Sequence, residues 1–157
     1  MKILLLAIGK TDASHIKEGI WEYEKRMTRY VSYEMKIIPD IKYSKNLTEN
    51  LQKQKEGVEI LAKLENNDFA ILLDENGRQF TSIEFSKFIS LKMLMGLKRL
   101  VFIIGGPYGF SEEVYKRSNY LISLSKMTFS HQMVRMIFAE QLYRAMTITK
   151  GEPYHHV

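Results

Sequence analysis

Three short stretches of this chain carry the residue types that could do chemistry. The first is Gly105-Gly106-Pro107-Tyr108-Gly109, which follows the apolar run Leu100 to Ile104. Glycines let a backbone approach a ligand closely and take dihedrals that other residues avoid. A plain strand-to-helix turn has the same need, so the loop alone leaves both readings open. It is not a GxGxxG fingerprint, and no Gly-Lys-Ser/Thr follows it. Pro107 also removes an amide that a phosphate cradle would use, so a ligand without phosphates fits better. The second stretch holds two pairs at helical spacing, His131 with Arg135 and Glu140 with Arg144. An i,i+4 acid–base pair on a helix surface contributes only a few tenths of a kcal/mol, and polar residues at a helix start are commonly just solvated. The third is the tail, Gly151-Glu152-Pro153-Tyr154-His155-His156-Val157. Two adjacent histidines without a third ligand make a weak metal site, and no metal is expected.

The elements that must position these residues follow from periodicity. Lys2 to Ile8 reads as a buried strand. Asp12 or Ser14 is placed to cap a helix whose apolar residues Ile16, Ile20, Tyr23, Met27 and Tyr30 recur at helical spacing. Tyr33 to Ile38 reads as a second strand, stopped by Pro39-Asp40, and Asn46 to about Leu64 as a polar helix. Phe69 to Leu73 is a third strand, ended by turn residues Asp74, Asn76 and Gly77. Thr81 with Glu84 forms a capping-box pattern that opens a helix running to about Met95. A fourth strand, Leu100 to Ile104, precedes the glycine loop. Ser111 followed by Glu112 and Glu113 starts another helix, because a side-chain oxygen and acids suit its amide-rich end. Tyr120 to Leu124 is a fifth strand, and a last helix spans about Ser130 to Thr149, with Gly151 and Pro153 ending it.

Strands alternating with helices predict an α/β domain with a parallel sheet covered on both faces, one domain over residues 1–157. Ligands of such sheets sit outside the strands' carboxyl ends. Three ends stand out: Leu73-Asp74, the Gly105 to Gly109 loop, and Leu124 to Phe129.

The bulk composition agrees. Hydrophobic residues make up 45% and charged residues 26%, the balance of a soluble globular protein. No stretch approaches the roughly 20 apolar residues of a membrane helix. The short run Ile3 to Ile8 is better read as a strand than as a secretion signal. The chain has no cysteine, which excludes disulfides and thiol nucleophiles and fits a cytoplasmic protein. Its net charge of +5 is compatible with a nucleic-acid partner without requiring one.

Taken in order, Ile103-Ile104-Gly105-Gly106-Pro107-Tyr108-Gly109, Leu124-Ser125-Lys126-Met127-Thr128-Phe129-Ser130-His131, Arg135, Glu140-Gln141-Leu142-Tyr143-Arg144-Ala145 and Tyr154-His155 form a joint pattern. With Lys2 to Gly9 and Glu22-Tyr23, that pattern resembles the RlmH family. These are SPOUT-class methyltransferases that modify N3 of a pseudouridine in 23S ribosomal RNA of the large subunit. The resemblance covers essentially the whole chain. It departs at Ser130, where the family commonly has proline, and at His156, where lysine or arginine is usual.

The resemblance implies a C-terminal trefoil knot, a rare exception to unknotted topology. It implies S-adenosylmethionine as methyl donor, bound by Leu73, Gly105, Leu124, Ser125, Lys126, Met127, Thr128 and Phe129. It further implies a homodimer with a shared active site, in which one subunit's tail lies beside the other's donor pocket. The apolar arc of the last helix would help form that interface. Arg135 and Arg144 are then candidates for binding RNA or stabilising the base anion, and Tyr154 and His155 for closing over it. His155 ranks above Glu140 as a general base, if one is used. Two rival readings remain: the same chemistry on another RNA such as transfer RNA, and a non-catalytic nucleotide-binding, ribosome-associated protein.

Overall fold

The computed structural model describes residues 1–42 and 46–155. Five strands form one fully parallel sheet: β1 (Lys2–Ile8), β2 (Ser32–Ile38), β3 (Phe69–Gln79), β4 (Arg99–Ile104) and β5 (Tyr120–Ser123), in the order β2-β1-β4-β3-β5. Five helices connect or follow them: α1 (Ser14–Met27), α2 (Glu49–Leu61), α3 (Ser82–Leu94), α4 (Glu112–Arg117) and α5 (Met133–Lys150).

β1 and β4 are apolar and buried at every position after the first because both sheet faces are covered. One face packs Leu5, Phe102 and Ile104 against α1, α3 and α5, with Phe102 and Phe138 rings 4.6 Å apart. The other face packs Leu6, Leu72 and Ile103 under α2 and α4 through Ile60, Phe110 and Val114. Among the described residues, no helix is long and apolar enough to cross a membrane.

Most expected boundaries hold within a few residues. Thr81 and Glu84 form a true capping box. Ser111 caps α4, and Gly151 ends α5 in the left-handed region at φ 67°. Two expectations need correction. Neither Asp12 nor Ser14 caps α1. Instead, Gln132, at the foot of α5, accepts the amides of Asp12 and Ala13, each at 2.9 Å. That tertiary cap is invisible to local spacing.

β3 does not stop at Leu73 either. It resumes pairing with β5 at Arg78 and leaves Asp74 to Gly77 as a bulge outside the ladder. Gly77 permits this return, because a Cβ there would lie 2.5 Å from the Ile122 backbone. The apolar arc of α5 is used only in part within the chain, since Val134, Ile137 and Ile148 stay half-buried. Phe138, Ala139, Leu142, Ala145 and Met146 are buried within the chain itself.

Phe138 is fully buried at the sheet–α5 contact. Truncation to alanine removes aromatic burial and leaves a cavity, at a cost of about 3–5 kcal/mol. Urea unfolding should show that loss; a loss below about 1 kcal/mol would mean that α5 is not clamped to the sheet as described.

Candidate active site

The carboxyl ends of β3, β4 and β5 meet around a cavity of about 450 Å³, within the roughly 300–1,000 Å³ of small-molecule sites. The strand register makes this inevitable: Leu73 pairs with both Ile104 and Ile122, so the segments that follow all three strands emerge side by side. Leu73, Gly105, Leu124, Ser125, Met127, Thr128 and Phe129 line the cavity. Lys126, within the same run, does not. The Leu124–Phe129 segment is shaped locally: Ser123 Oγ donates to the Ser125 carbonyl, and Ser125 Oγ accepts the Met127 amide, both at 2.9 Å.

The glycine loop is packed from behind on two sides. A Cβ on Gly105 would come within 3.0 Å of the Phe110 ring. A Cβ on Gly106 would collide with the carboxylate of Glu56, at 2.3 Å from Oε2. Glu56 is 2% exposed; Gln52 Nε2 donates to its Oε1 at 2.9 Å, and its Oε2 has no partner. Burial pushes its carboxyl above the ordinary range and Asp40 adds to this, while the Gln52 bond and His131 act in the opposite direction. Nothing in the local pattern marks this residue, which sits on a helix that reads as polar and exposed.

Arg135 is also misjudged by a surface reading. It is 1% exposed, and its Nη2 donates to the Ile8 carbonyl at 2.6 Å while Nη1 donates to Thr11 Oγ1 at 2.7 Å. Burial lowers its pKa, and the nearby Asp40 and Asp12 partly restore it. It therefore fixes the start of α5 against the end of β1, and it is not among the residues lining the cavity. Its neighbour His131 does line it.

Glu140, Arg144, Tyr154 and His155 gather elsewhere, where the tail folds back on α5. Arg144 Nε donates to Glu140 Oε1 at 3.0 Å and Tyr154 Oη donates to the same oxygen at 3.2 Å. Gln141 Nε2 donates to the other oxygen, at 2.7 Å. The guanidinium of Arg144 lies 4.9 Å from the Tyr154 ring centroid, and its Nη1 lies 3.4 Å from His155 Nδ1. Tyr143 packs edge-on against Tyr154, and Tyr30 bonds Glu152, so the tail is anchored by aromatic and polar contacts. Burial first, then hydrogen bonding with Tyr23 and the charge of Glu140, raises the Tyr154 pKa and keeps its hydroxyl a donor. Far from being a loose surface pair, Glu140 and Arg144 are partly buried. None of these four residues lines the cavity. His156 lies outside the described residues.

The parallel α/β domain thus has a glycine-walled cavity of small-molecule size at its strand ends and a separate polar cluster. Residues 1–155 match the family model described as "Predicted SPOUT methyltransferase". The chain is 61% identical to the ribosomal RNA large subunit methyltransferase H of Christiangramia forsetii over 99% of both chains. It is 60% and 56% identical, at the same coverage, to proteins of that name from Parabacteroides distasonis and Flavobacterium johnsoniae. The chain belongs to the SPOUT methyltransferase family. A methyl donor is therefore part of its chemistry.

Glu56 gives a test of the glycine-loop packing. Its folded pKa is raised, so the stability it contributes is complete below the unfolded value near 4.5 and is lost as pH rises through the folded value. Glu56→Gln should be at least as stable as the parent at pH 8 and show a flatter decline in stability above about pH 4.5. Urea titrations across that range check this; equal destabilisation at every pH would show that burial behind the loop does not raise the Glu56 pKa.

Proposed function

We propose that this protein transfers a methyl group from S-adenosylmethionine to N3 of a pseudouridine in 23S ribosomal RNA, acting as a homodimer with shared sites. The observation that carries the reading is the separation just described. The cavity has the size and backbone-rich walls suited to an uncharged adenosyl group, yet Arg144, Tyr154 and His155 lie outside its lining. A second copy that brings its tail to the cavity of the first would complete the site. An exposed surface beside the tail cluster supports such contact: Trp21 is largely solvent-facing and shares a concavity with Arg26, Arg29 and Tyr143. The large-subunit RNA named for the relatives supports the substrate. The knot that the family resemblance implies belongs to the same reading, as the means of shaping the donor cavity.

The donor supplies an electrophilic methyl group; the chain's own residues must do the rest. They must orient the target nitrogen, exclude water and stabilise the anion left when the imide loses its proton. Arg144 stays cationic and is oriented by Glu140, so it can neutralise that anion. Tyr154 presents a protonated hydroxyl to the same region. Both Glu140 oxygens are engaged by Arg144, Tyr154 and Gln141, which leaves His155 the better acceptor for the N3 proton. Arg135 supports the site indirectly, by fixing α5.

Labelled methyl transfer tests the substrate. Incorporation should be high on ribosomes or large subunits from cells lacking the modification, and low on transfer RNA or a short naked hairpin. A domain of charge +5 gains limited affinity from phosphates alone and needs a shaped surface. Equal turnover on hairpin and ribosome would contradict the reading. Arg144→Ala should bind the donor within about twofold of the parent and lose at least roughly 10²-fold in methyl transfer, the scale of removing an anion-stabilising donor. A parallel loss of donor binding, seen by calorimetry, would move Arg144 into the donor site instead.

A further inference from the structure

We propose that Asp74 reads the charge of the methyl donor, favouring the cationic sulfonium over the neutral thioether left after transfer, with Tyr115 as its positioning residue. This rests on the donor-cavity reading above. The β3 bulge is where the observations converge. Leu73 and Arg78 both pair with Ile122, so the four residues between them leave the ladder, and Asp74, Glu75 and Asn76 become cavity wall. Close contact of Gly77 with the β5 backbone fixes the point of return.

Within the bulge, the Asp74 carboxylate is fully oriented. The Asn76 amide and Nδ2 donate to Oδ1 at 2.8 and 3.1 Å, and Tyr115 Oη donates to Oδ2 at 2.5 Å. Three donors on two oxygens is the pattern of an ionised, acceptor-only carboxylate. Its partners are all neutral: among the described residues, no ion pair reaches Asp74. Burial and the bond to Asp74 both raise the Tyr115 pKa, so the phenol remains the donor. A half-buried anion on a cavity wall without a counter-cation attracts a cationic ligand, and attracts it more strongly than it would in open water.

Tyr115 links this anion to the glycine loop. Its ring meets Phe110 edge-on at 5.8 Å, and Phe110 in turn backs Gly105. One tyrosine on α4 thus braces the walls that follow β3 and β4. The donor and its product share the adenosine and amino-acid parts. In the transfer, the S–CH₃ bond breaks with its electron pair staying on sulfur, and the N–CH₃ bond forms to the deprotonated nitrogen. What changes on the ligand is one methyl group and one positive charge. A carboxylate facing the sulfur would therefore weaken its hold once the transfer is complete, which favours product release.

Calorimetry on the full-length protein tests this with S-adenosylmethionine, S-adenosylhomocysteine and sinefungin, whose amine carries a positive charge near the donor's methyl position. Asp74→Asn keeps shape and removes charge. It should lose roughly tenfold or more in affinity for the donor and for sinefungin, a change of about 1.4 kcal/mol, with under about twofold change for the homocysteine product. Tyr115→Phe keeps the ring on Phe110 and should show a smaller loss in the same sense. Thermal melts without ligand control for folding; if Asp74→Asn fails to fold, Tyr115→Phe carries the test. Equal losses for all three ligands, or no loss, would overturn the inference. If the parent protein bound none of them, the donor-cavity reading itself would fall, and this inference with it.

Discussion

A guanidinium buried in an apolar fold has to find its hydrogen-bond partners inside, and both Nη atoms of Arg135 find theirs at the end of β1 while its Nε has none. Taking a charge out of water costs several kcal/mol, and removing its partners would leave that cost unopposed. The Ile8 carbonyl and Thr11 Oγ1 are therefore not replaceable by solvent. The consequence is geometric. The foot of α5 is tied to the carboxyl edge of the sheet, where Gln132 also caps the start of α1. The segment Leu124 to Ser130, which joins β5 to that tied point, has to pass in front of the strand ends, and it forms one wall of the cavity there.

The parallel sheet supplies the remaining walls. Burial of both faces sends every connection out at the strand ends, and three neighbouring carboxyl ends create the space. Behind the glycine loop, the ring of Phe110 and the carboxyl of Glu56 occupy the places where side chains would otherwise stand, so the loop presents backbone to the cavity. The loop itself, Gly105 to Phe110, carries no charged side chain. A separate cluster of charged and aromatic side chains is carried by the outer part of α5 and the tail, held by the Glu140–Arg144 pair and by Tyr143 and Tyr154.

What the sequence makes legible divides along physical lines. Strand and helix order and the Thr81 box follow from local periodicity and capping and stand as read, and the three strand ends singled out converge on one cavity. What escapes is whatever depends on distant partners. Arg135 has the composition of a surface residue, and only its contact with a strand 127 positions away in sequence makes it a core strut. Glu56 lies on a polar helix and is buried because the glycine loop closes over it. The bulge at Asp74 to Gly77 has turn-forming residues, but they interrupt a strand because β5 supplies pairing on both sides. In α5 the apolar arc is real, and α1, α3 and the sheet bury Phe138, Leu142, Ala145 and Met146 of it while Val134, Ile137 and Ile148 stay half-buried.

The central claim is that a cavity in one subunit works with the tail of another, and subunit mixing tests it directly. Thr128→Trp places a large ring in the cavity from an exposed wall residue, and deletion of residues 154–157 removes the tail. Each homodimer should be inactive in methyl transfer, since one has both cavities blocked and the other lacks both tails. After exchange, each heterodimer holds one open cavity facing one intact tail, so activity should return to about half the parental value per exchanged dimer, as twofold symmetry requires. Exchange confirmed by differently tagged subunits, with no activity recovered, would contradict the shared site and place cavity and tail in the same chain.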